Sequence, residues 1–245
     1  MTAPLVLSLF PGADLFGRAF ELAGCCVVRG PDRLLGQDIG DWPRPPIGAF
    51  DGIIATPPCQ IHSTAWRIGG RPGRHGDWVP FSFDFIEHHK PTWAVVENVP
   101  QVLKLHPPRV GWGVVKLRDW DCGGLTNRTR VFYLWPRELA DGVPTPQRRP
   151  GRPSLSVLAS SYRVGKRGHG RMLCGLNPEE AARLQGWPEI VATLQSEAHA
   201  GKKGNRLIGR ALMVHYMGNG VPRALGEWVA RHVLAASRSE MVLLT

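Results

Sequence analysis

The sequence of 245 residues is long enough for one large domain, or for one domain with a small appendage. With 43% hydrophobic and 20% charged residues it can form a packed core, which excludes an intrinsically disordered chain. No apolar run is long enough to span a bilayer, and the first residues lack the basic segment of a signal peptide. We therefore expect a cytoplasmic protein without membrane contact.

The positive charge of the chain is concentrated in one segment. The net charge is +10, which favours a polyanionic partner. Between Arg128 and Arg171 stand ten Lys or Arg residues but only two acids, Glu138 and Asp141. This concentration favours a segment that faces nucleic acid over an ordinary solvated surface.

The cysteines and histidines do not form a metal-binding or disulfide pattern. The five cysteines include no Cys-x-x-Cys pair, and the nine histidines are scattered apart from one doublet. We therefore predict reduced thiols, no disulfide framework and no metal site.

The first part of the chain alternates short apolar runs with turn signals. We predict strands over residues 4–9 and 25–29, with a helix over 16–23 between them. A strand, loop, helix and strand in this order are typical of the start of a nucleotide-binding α/β domain.

The segment FDGIIATPPCQ places a cysteine after a predicted core strand. Residues 52–55 favour a buried strand, and Pro57 and Pro58 must end it. Cys59 then lies just past the carboxyl end of the strand, where open α/β sheets place ligands and chemistry. An isolated cysteine in a turn is more often a small buried residue, so the role of Cys59 depends on the other motifs.

The remaining elements are predicted from apolar spacing and from caps. Residues 61–78 are rich in Gly, Arg and His without periodicity, which indicates a long functional loop. Residues 144–170 are rich in Pro, Gly and Arg and indicate a small loop-rich module. We predict strands over 93–97, 113–119 and 130–135, and helices over 81–89, 177–185, 188–201, 207–213 and 223–236.

Six short motifs occur in a fixed order: FPG, PPCQ, ENV, NRTR, RLQGWP and GNGVP. Together they resemble the DNA cytosine-5 methyltransferase family, from Leu7 to about Trp228 but without the segment Arg137–Gly170. The resemblance implies an α/β fold, a Rossmann-like S-adenosylmethionine-dependent methyltransferase sheet with helices on both faces and a small, loop-rich basic recognition lobe. It also implies a catalytic and cofactor-binding domain over 1–136, to which 216–245 return, and a target-recognition region over 137–215.

The resemblance implies four catalytic residues. Cys59 matches the nucleophile, which must add to carbon 6 of cytosine before carbon 5 can accept a methyl group. Glu97 matches the glutamate that supports the ring nitrogen. Arg128 and Arg130 match a two-arginine motif that binds the base carbonyl or a flanking phosphate, although Thr126 replaces the usual Gln.

The resemblance also implies a binding site for S-adenosylmethionine. The chain departs from the family at Asp14-Leu15, where a Gly pair is usual, and at Tyr216, where Gln is usual. The matching cofactor-binding residues are Phe10, Gly12, Asp32, Asp38, Ile39, Pro57, Asn219 and Val221.

The substrate that the resemblance implies is duplex DNA with a flipped-out cytosine. We expect a monomer from a bacterial or phage-infected cell. Because only about forty residues are available for recognition, we predict a short or relaxed target sequence. The predicted DNA-binding residues are Gln60, Ser63, Arg67, Arg71, Arg163, Lys166 and Arg167.

Two alternatives remain open at this point. The same motifs occur in a relative that methylates tRNA, and the short recognition region is compatible with it. The second alternative is a DNA-binding relative that has lost cofactor binding and catalysis. It remains open because Asp14-Leu15 and Tyr216 depart from the cofactor motifs.

Overall fold

The protein is built on one six-stranded sheet in the order β2-β1-β3-β4-β6-β5. The computed structural model describes residues 2–32, 37–62, 76–157, 161, 175–196, 199–201, 204–206 and 209–243. Strands β1 to β4 are parallel, and β6 runs antiparallel to both β4 and β5. The strands are β1 Leu5–Leu9, β2 Cys26–Arg29, β3 Gly52–Ala55, β4 Trp93–Asn98, β5 Gly113–Arg118 and β6 Thr129–Trp135.

Seven α-helices accompany the sheet in the part of the chain that the structure describes. A 3-10 helix, Pro100–Lys104, follows β4. The longest helix, α7, has 21 residues, and none of the helices described is both long and apolar enough to cross a membrane. The α-helices are α1 Leu15–Leu22, α2 Val79–His89, α3 Leu139–Gly142, α4 Pro178–Leu184, α5 Ile190–Ser196, α6 Arg210–Asn219 and α7 Arg223–Leu243.

Both faces of the central strands β3 and β4 are buried. Successive residues of a strand point to opposite faces, so Ile54 packs into a cluster with helices α1 and α7, while Ile53 packs into a second cluster with α2. The predicted α/β sheet with helices on both faces is confirmed. The predicted strands agree with the structure to within one residue, because each is a short and mainly apolar run whose limits are set by nearby residues in the sequence.

A third apolar cluster joins the later helices to the start of the chain. Leu15 and Ala19 of α1 pack with residues of α4, α5 and α6, including Met213 and Met217. Asn177 begins α4 with a capping box, in which its side chain accepts from the amide of Glu180 at 2.8 Å. The GNGVP motif therefore follows a helix that is packed directly against the first helix of the chain.

One predicted helix is wrong. We predicted a continuous helix over 188–201, but α5 ends at Ser196 and a short antiparallel hairpin follows, formed by β7 His199–Gly201 and β8 Gly204–Arg206. Gly201 and Gly204 pair with each other, and glycines next to polar residues favour a tight turn over a helix. The predicted helix over 207–213 begins later, at Arg210.

Candidate active site

One cavity of about 240 Å³ opens at the carboxyl ends of the parallel strands. The residues that follow β1, β2 and β3 meet there with Glu97 at the end of β4, as expected for an open α/β sheet. Twelve of the predicted catalytic, cofactor-binding and DNA-binding residues line this cavity: Phe10, Gly12, Asp32, Asp38, Ile39, Pro57, Cys59, Gln60, Glu97, Arg130, Asn219 and Val221.

Of the other predicted residues, the structure describes only Arg128. Arg128 is buried and does not line the cavity. Six predicted DNA-binding residues fall outside the described residues: Ser63, Arg67, Arg71, Arg163, Lys166 and Arg167.

Cys59 is held at the end of β3 by a rigid turn. The side chain of Asn98 donates to the carbonyl of Pro57 at 3.2 Å, which ties this turn to the end of β4. Cys59 is half-buried. Burial raises the pKa of its thiol; Arg130 and Arg128 lower that pKa, and the carboxyl of Glu97 raises it. The charges around Cys59 thus decide how readily its thiolate forms.

Glu97 and Arg130 form a buried ion pair beside Cys59. The Nε atom of Arg130 lies 2.7 Å from the Oε1 atom of Glu97, and both side chains are almost fully enclosed. Burial raises the pKa of Glu97, although Arg130 and Arg128 lower it. This carboxyl group therefore holds a proton more readily than an exposed glutamate does. It can thus act as a proton donor to a bound molecule.

Arg128 joins distant segments of the main chain. Its Nη1 atom donates to the carbonyl of Val157 and its Nη2 atom to the carbonyl of Gly218, both at 2.8 Å. Burial and the neighbouring Arg130 lower the pKa of Arg128 to about 9. The two arginines of the motif thus differ: Arg130 faces the cavity, and Arg128 connects the basic segment to the start of the GNGVP motif.

Thr126, which replaces the usual Gln, is fully buried. Its amide and hydroxyl donate to the Oδ2 atom of Asp119 at 2.9 Å and 2.7 Å. Burial raises the pKa of Asp119, although the hydrogen bonds from Thr126 lower it. Thr126 therefore closes the turn between β5 and β6 and lies outside the cavity lining.

Asp14, which replaces a usual Gly, is the N-cap of α1. Its left-handed φ of 50° is one that Gly adopts readily and Asp tolerates. Its Oδ1 atom accepts from the hydroxyl of Ser8 at 2.7 Å and from the amide of Gly17 at 3.1 Å, and Arg29 lies 2.9 Å from Oδ2. Burial raises the pKa of Asp14 to about 6. The departure from the family pattern thus supplies a helix cap.

Asp32, Asp38 and the backbone of Gly12 form a polar part of the cavity lining. The Gly12 amide donates to the Oδ2 atom of Asp32 at 3.0 Å, and Asp38 accepts from the amide of Gly40 at 3.0 Å. The apolar side chains of Phe10, Ile39 and Val221 line the same space. This combination of acids and apolar surface can hold a nucleoside.

The structure adds residues that the motifs did not identify as binding residues. Trp78, His215 and Tyr216 line the cavity, and the Nε2 atom of His215 lies 3.0 Å from Nδ2 of Asn219. Burial, together with Asp32, raises the pKa of Tyr216 to about 12, so its hydroxyl stays protonated. His215 and Tyr216 lie on the last turns of α6, immediately before GNGVP, and this position was the available signal.

Solved structures of methyltransferases resemble the protein over almost their whole length. A prophage-encoded protein of E. coli assigned to DNA modification has a TM-score of 0.56 and 15% identity, with 95% of this chain and 99% of that chain covered. The Entamoeba histolytica methyltransferase EhMeth has a TM-score of 0.57 and 10% identity, with 98% and 99% covered. The chain has the methyltransferase fold. The S. pombe Dnmt2 methyltransferase also matches, with a TM-score of 0.53, 14% identity and 97% and 99% covered.

The similarity is one of structure. No protein-family model matches the chain, and no curated protein matches it. TM-scores of 0.53–0.57 establish a shared methyltransferase fold, and at 10–15% identity they establish the fold alone. The chemistry must therefore be argued from the cavity itself.

Proposed function

We propose that the protein transfers a methyl group from S-adenosylmethionine to carbon 5 of cytosine in DNA. The observation that carries this proposal is the meeting of Cys59, Glu97 and Arg130 in a cavity that the predicted cofactor residues also line. A half-buried thiol beside a buried carboxyl and guanidinium is the set of groups that addition to a pyrimidine ring requires.

Cys59 acts as the nucleophile. Its thiolate adds to carbon 6 of the cytosine, a sulfur–carbon bond forms, and the electron pair of the 5,6 double bond makes carbon 5 nucleophilic. Glu97, which is ionised beside Arg130 in the free protein, takes up the proton that the Cys59 thiol releases and donates it to the ring nitrogen as charge develops there. After carbon 5 has bonded to the methyl group, the ring nitrogen returns its proton to Glu97 and a water molecule takes the proton from carbon 5. The 5,6 double bond then re-forms and Cys59 leaves as a thiolate.

Arg130 binds and orients. Its Nε atom fixes the carboxyl of Glu97, and its guanidinium can donate to the carbonyl oxygen of the base. Arg128 holds the surrounding main chain through Val157 and Gly218. We therefore expect substitution of Arg130 to affect the chemistry directly, and substitution of Arg128 to act through the position of these segments.

The cavity fits S-adenosylmethionine, which supplies an electrophilic methyl group when bound. The acids Asp32 and Asp38 can accept hydrogen bonds from the ribose and the adenine amine, and the apolar residues can pack against the adenine. Gly12 has a backbone φ of 54°, and its amide donates to Asp32. Because glycine has no side chain, the backbone of this loop borders the cavity directly. Pro57, in the turn that carries Cys59, and Asn219, in the GNGVP motif, also line the cavity.

DNA is the proposed substrate because the chain carries a net charge of +10, concentrated after Arg128. The similar E. coli prophage protein is assigned to DNA modification. We propose that residues 137–215 serve as the target-recognition region, and that residues 60–76, with Gln60 at the cavity, close over a flipped base. The small size of this region favours a short or relaxed target sequence.

The test is a methyl-transfer assay with a labelled methyl group. The purified protein, labelled S-adenosylmethionine and genomic DNA are incubated, and the DNA is digested to nucleosides. We expect label in 5-methylcytosine, abolished by Cys59→Ser and retained by Cys26→Ser, since Cys26 is an exposed cysteine on β2. Addition of tRNA in excess over the DNA should leave the amount of methylated DNA unchanged.

Three results would contradict the proposal. Label in tRNA in place of DNA would favour the RNA-modifying alternative. Label that survives Cys59→Ser would exclude the covalent mechanism. Absence of label together with no calorimetric binding of the cofactor would favour a DNA-binding protein without catalysis.

A further inference from the structure

Two histidines and an aspartate converge beside the candidate active site without taking part in the proposed chemistry. His62 follows Cys59 by three residues, and its amide donates to the Cys59 carbonyl at 3.0 Å. Asp77 lies two residues before the start of α2, and His106 follows the 3-10 helix after β4. Three separate segments of the chain therefore meet at one point.

The two rings approach different oxygens of one carboxylate. The Nε2 atom of His62 lies 3.3 Å from Oδ1 of Asp77, and the Nε2 atom of His106 lies 2.6 Å from Oδ2. One ligand atom from each of the three residues can be chosen so that all lie within 4.8 Å of one another. In the part of the chain that the structure describes, this is the only group of three or more His, Cys, Asp or Glu residues with that spacing.

The buried ring of His62 makes few hydrogen bonds. Its side chain is fully buried, its Nδ1 atom has no hydrogen-bond partner among the described residues, and the contact of its Nε2 atom with Asp77 is long at 3.3 Å. Burying a polar ring with so little hydrogen bonding is unfavourable. A bond from Nε2 to a cation would replace the long contact of this atom with Asp77.

We propose that His62, Asp77 and His106 bind a divalent transition-metal ion. The sequence alone predicted no metal site, because these three residues are far apart along the chain. Ligand atoms on one tetrahedral zinc ion lie about 3.3 Å apart, so small rotations of the three side chains bring their atoms to one ion. Two imidazole nitrogens select zinc and its first-row neighbours over magnesium or calcium, which prefer oxygen ligands. The side chains of His106 and Asp77 are 20% and 30% exposed, which leaves an entry path and room for water as a further ligand.

The ion would join three parts of the structure that border the active site. His62 is fixed to the turn that carries Cys59, and His106 follows the strand that carries Glu97. The hydroxyl of Tyr133 on β6 donates to the His106 carbonyl, which holds the position of this third ligand. Because the ion binds the folded arrangement, it should raise the melting temperature of the protein, and this increase should grow with the logarithm of the free ion concentration above the dissociation constant.

The experiment measures metal binding by the full chain without DNA or cofactor, so its outcome is independent of the methyl-transfer activity. The protein is stripped with a chelator and titrated with Zn²⁺ against a chromophoric chelator, and with Co²⁺ by visible absorption. The variants are His106→Gln and Asp77→Asn, and the control is His88→Gln, an exposed histidine on α2 outside the cluster. Circular dichroism checks that each variant is folded.

We expect one Zn²⁺ ion per chain and a Co²⁺ spectrum typical of nitrogen and oxygen ligands. His106→Gln and Asp77→Asn should each weaken Zn²⁺ binding at least ten-fold, while His88→Gln and Cys59→Ser should leave it unchanged, and excess Mg²⁺ should not compete. Absence of saturable binding would overturn the proposal. So would equal affinity in folded His106→Gln and Asp77→Asn, or a sulfur-to-cobalt charge-transfer band, which would place the ion on a thiol.

Discussion

At the scale of single residues, the charges around Cys59 act in opposite directions. Burial and Glu97 raise the pKa of its thiol, while Arg130 and Arg128 lower it. Glu97 and Arg130 partly cancel each other's effect on the Cys59 pKa, because their opposite charges lie 2.7 Å apart. Cys59 is therefore kept mainly as a thiol in the free protein, which limits its reaction with other electrophiles.

Removing the carboxylate of Glu97 should make Cys59 more reactive in the free protein. With Glu97→Gln, one influence that raises the Cys59 pKa is lost, so the thiolate fraction near pH 8.5 increases. We expect alkylation of Cys59 by iodoacetamide to accelerate several-fold, measured by mass spectrometry with the exposed Cys26 as internal reference.

The matched control for this experiment is Glu87→Gln, because Glu87 binds Arg109 and Trp112 on another face of the protein. It should leave the rate at Cys59 unchanged. Unchanged or slower alkylation of Cys59 in Glu97→Gln would show that the carboxyl group does not act on the thiol.

Asp14 should make the stability of the protein depend on pH. Its pKa is raised to about 6 from 3.8, mainly by burial, so the folded state binds its proton more tightly than the unfolded state. Its contribution to stability is complete below pH 3.8 and is lost as the pH rises to about 6.

The unfolding free energies of the wild type and Asp14→Asn should therefore diverge over this window. The stability of the wild type relative to the variant is expected to fall by up to about 3 kcal/mol on going from pH 3.8 to pH 6. Urea denaturation at several pH values gives this difference. A difference that is constant or grows with pH would mean that Asp14 is not held protonated by burial.

At the scale of elements, the sheet was predictable because its signals are local. Each strand is a short apolar run, and the prolines after β3 or the Asn-Val-Pro sequence after β4 set its end. The hairpin formed by β7 and β8 was missed because apolar residues of α5 suggested a longer helix. The division of labour between Arg128 and Arg130 could not be predicted, because the contacts of Arg128 with Val157 and Gly218 span 29 and 90 residues.

The packing of β3 against β4 depends on the absence of a side chain at Gly52. A Cβ atom at this position would collide with the indole ring of Trp93, the residue paired with Gly52 in the adjacent strand. Both residues are buried. We expect Gly52→Ala to lower the free energy of unfolding by about 1–3 kcal/mol, as overpacking of a core does.

Chemical denaturation of two further variants tests this explanation. Gly40→Ala, at an exposed glycine where a Cβ atom meets only an ordinary contact, should change the stability little. Trp93→Phe combined with Gly52→Ala should restore part of the loss, because the colliding ring atoms are gone. Additive losses in the double variant would show that the collision is not the cause.

At the scale of the whole molecule, the fold brings together residues from both ends of the chain. The loop after β1, the turn after β3, the end of β4 and the GNGVP motif after α6 line one cavity. Sequence motifs predicted most of this lining because the carboxyl ends of parallel strands share an edge. They did not predict that Asp14 would cap α1, since the pattern at that position calls for glycine.

The central claim is that Cys59 forms a covalent bond with carbon 6 of a cytosine in DNA. Fluorine at carbon 5 cannot leave as a proton does, so the elimination that releases Cys59 should stall. The decisive measurement uses duplex DNA synthesised with 5-fluorocytosine in place of cytosine, incubated with the protein and S-adenosylmethionine and analysed on a denaturing gel and by mass spectrometry.

We expect a protein–DNA complex that survives denaturation, with the nucleotide attached to Cys59. Cys26→Ser should form the same complex and Cys59→Ser none. Attachment at another residue, an undiminished complex with Cys59→Ser, or methylation of normal DNA without any trapped complex would contradict the account.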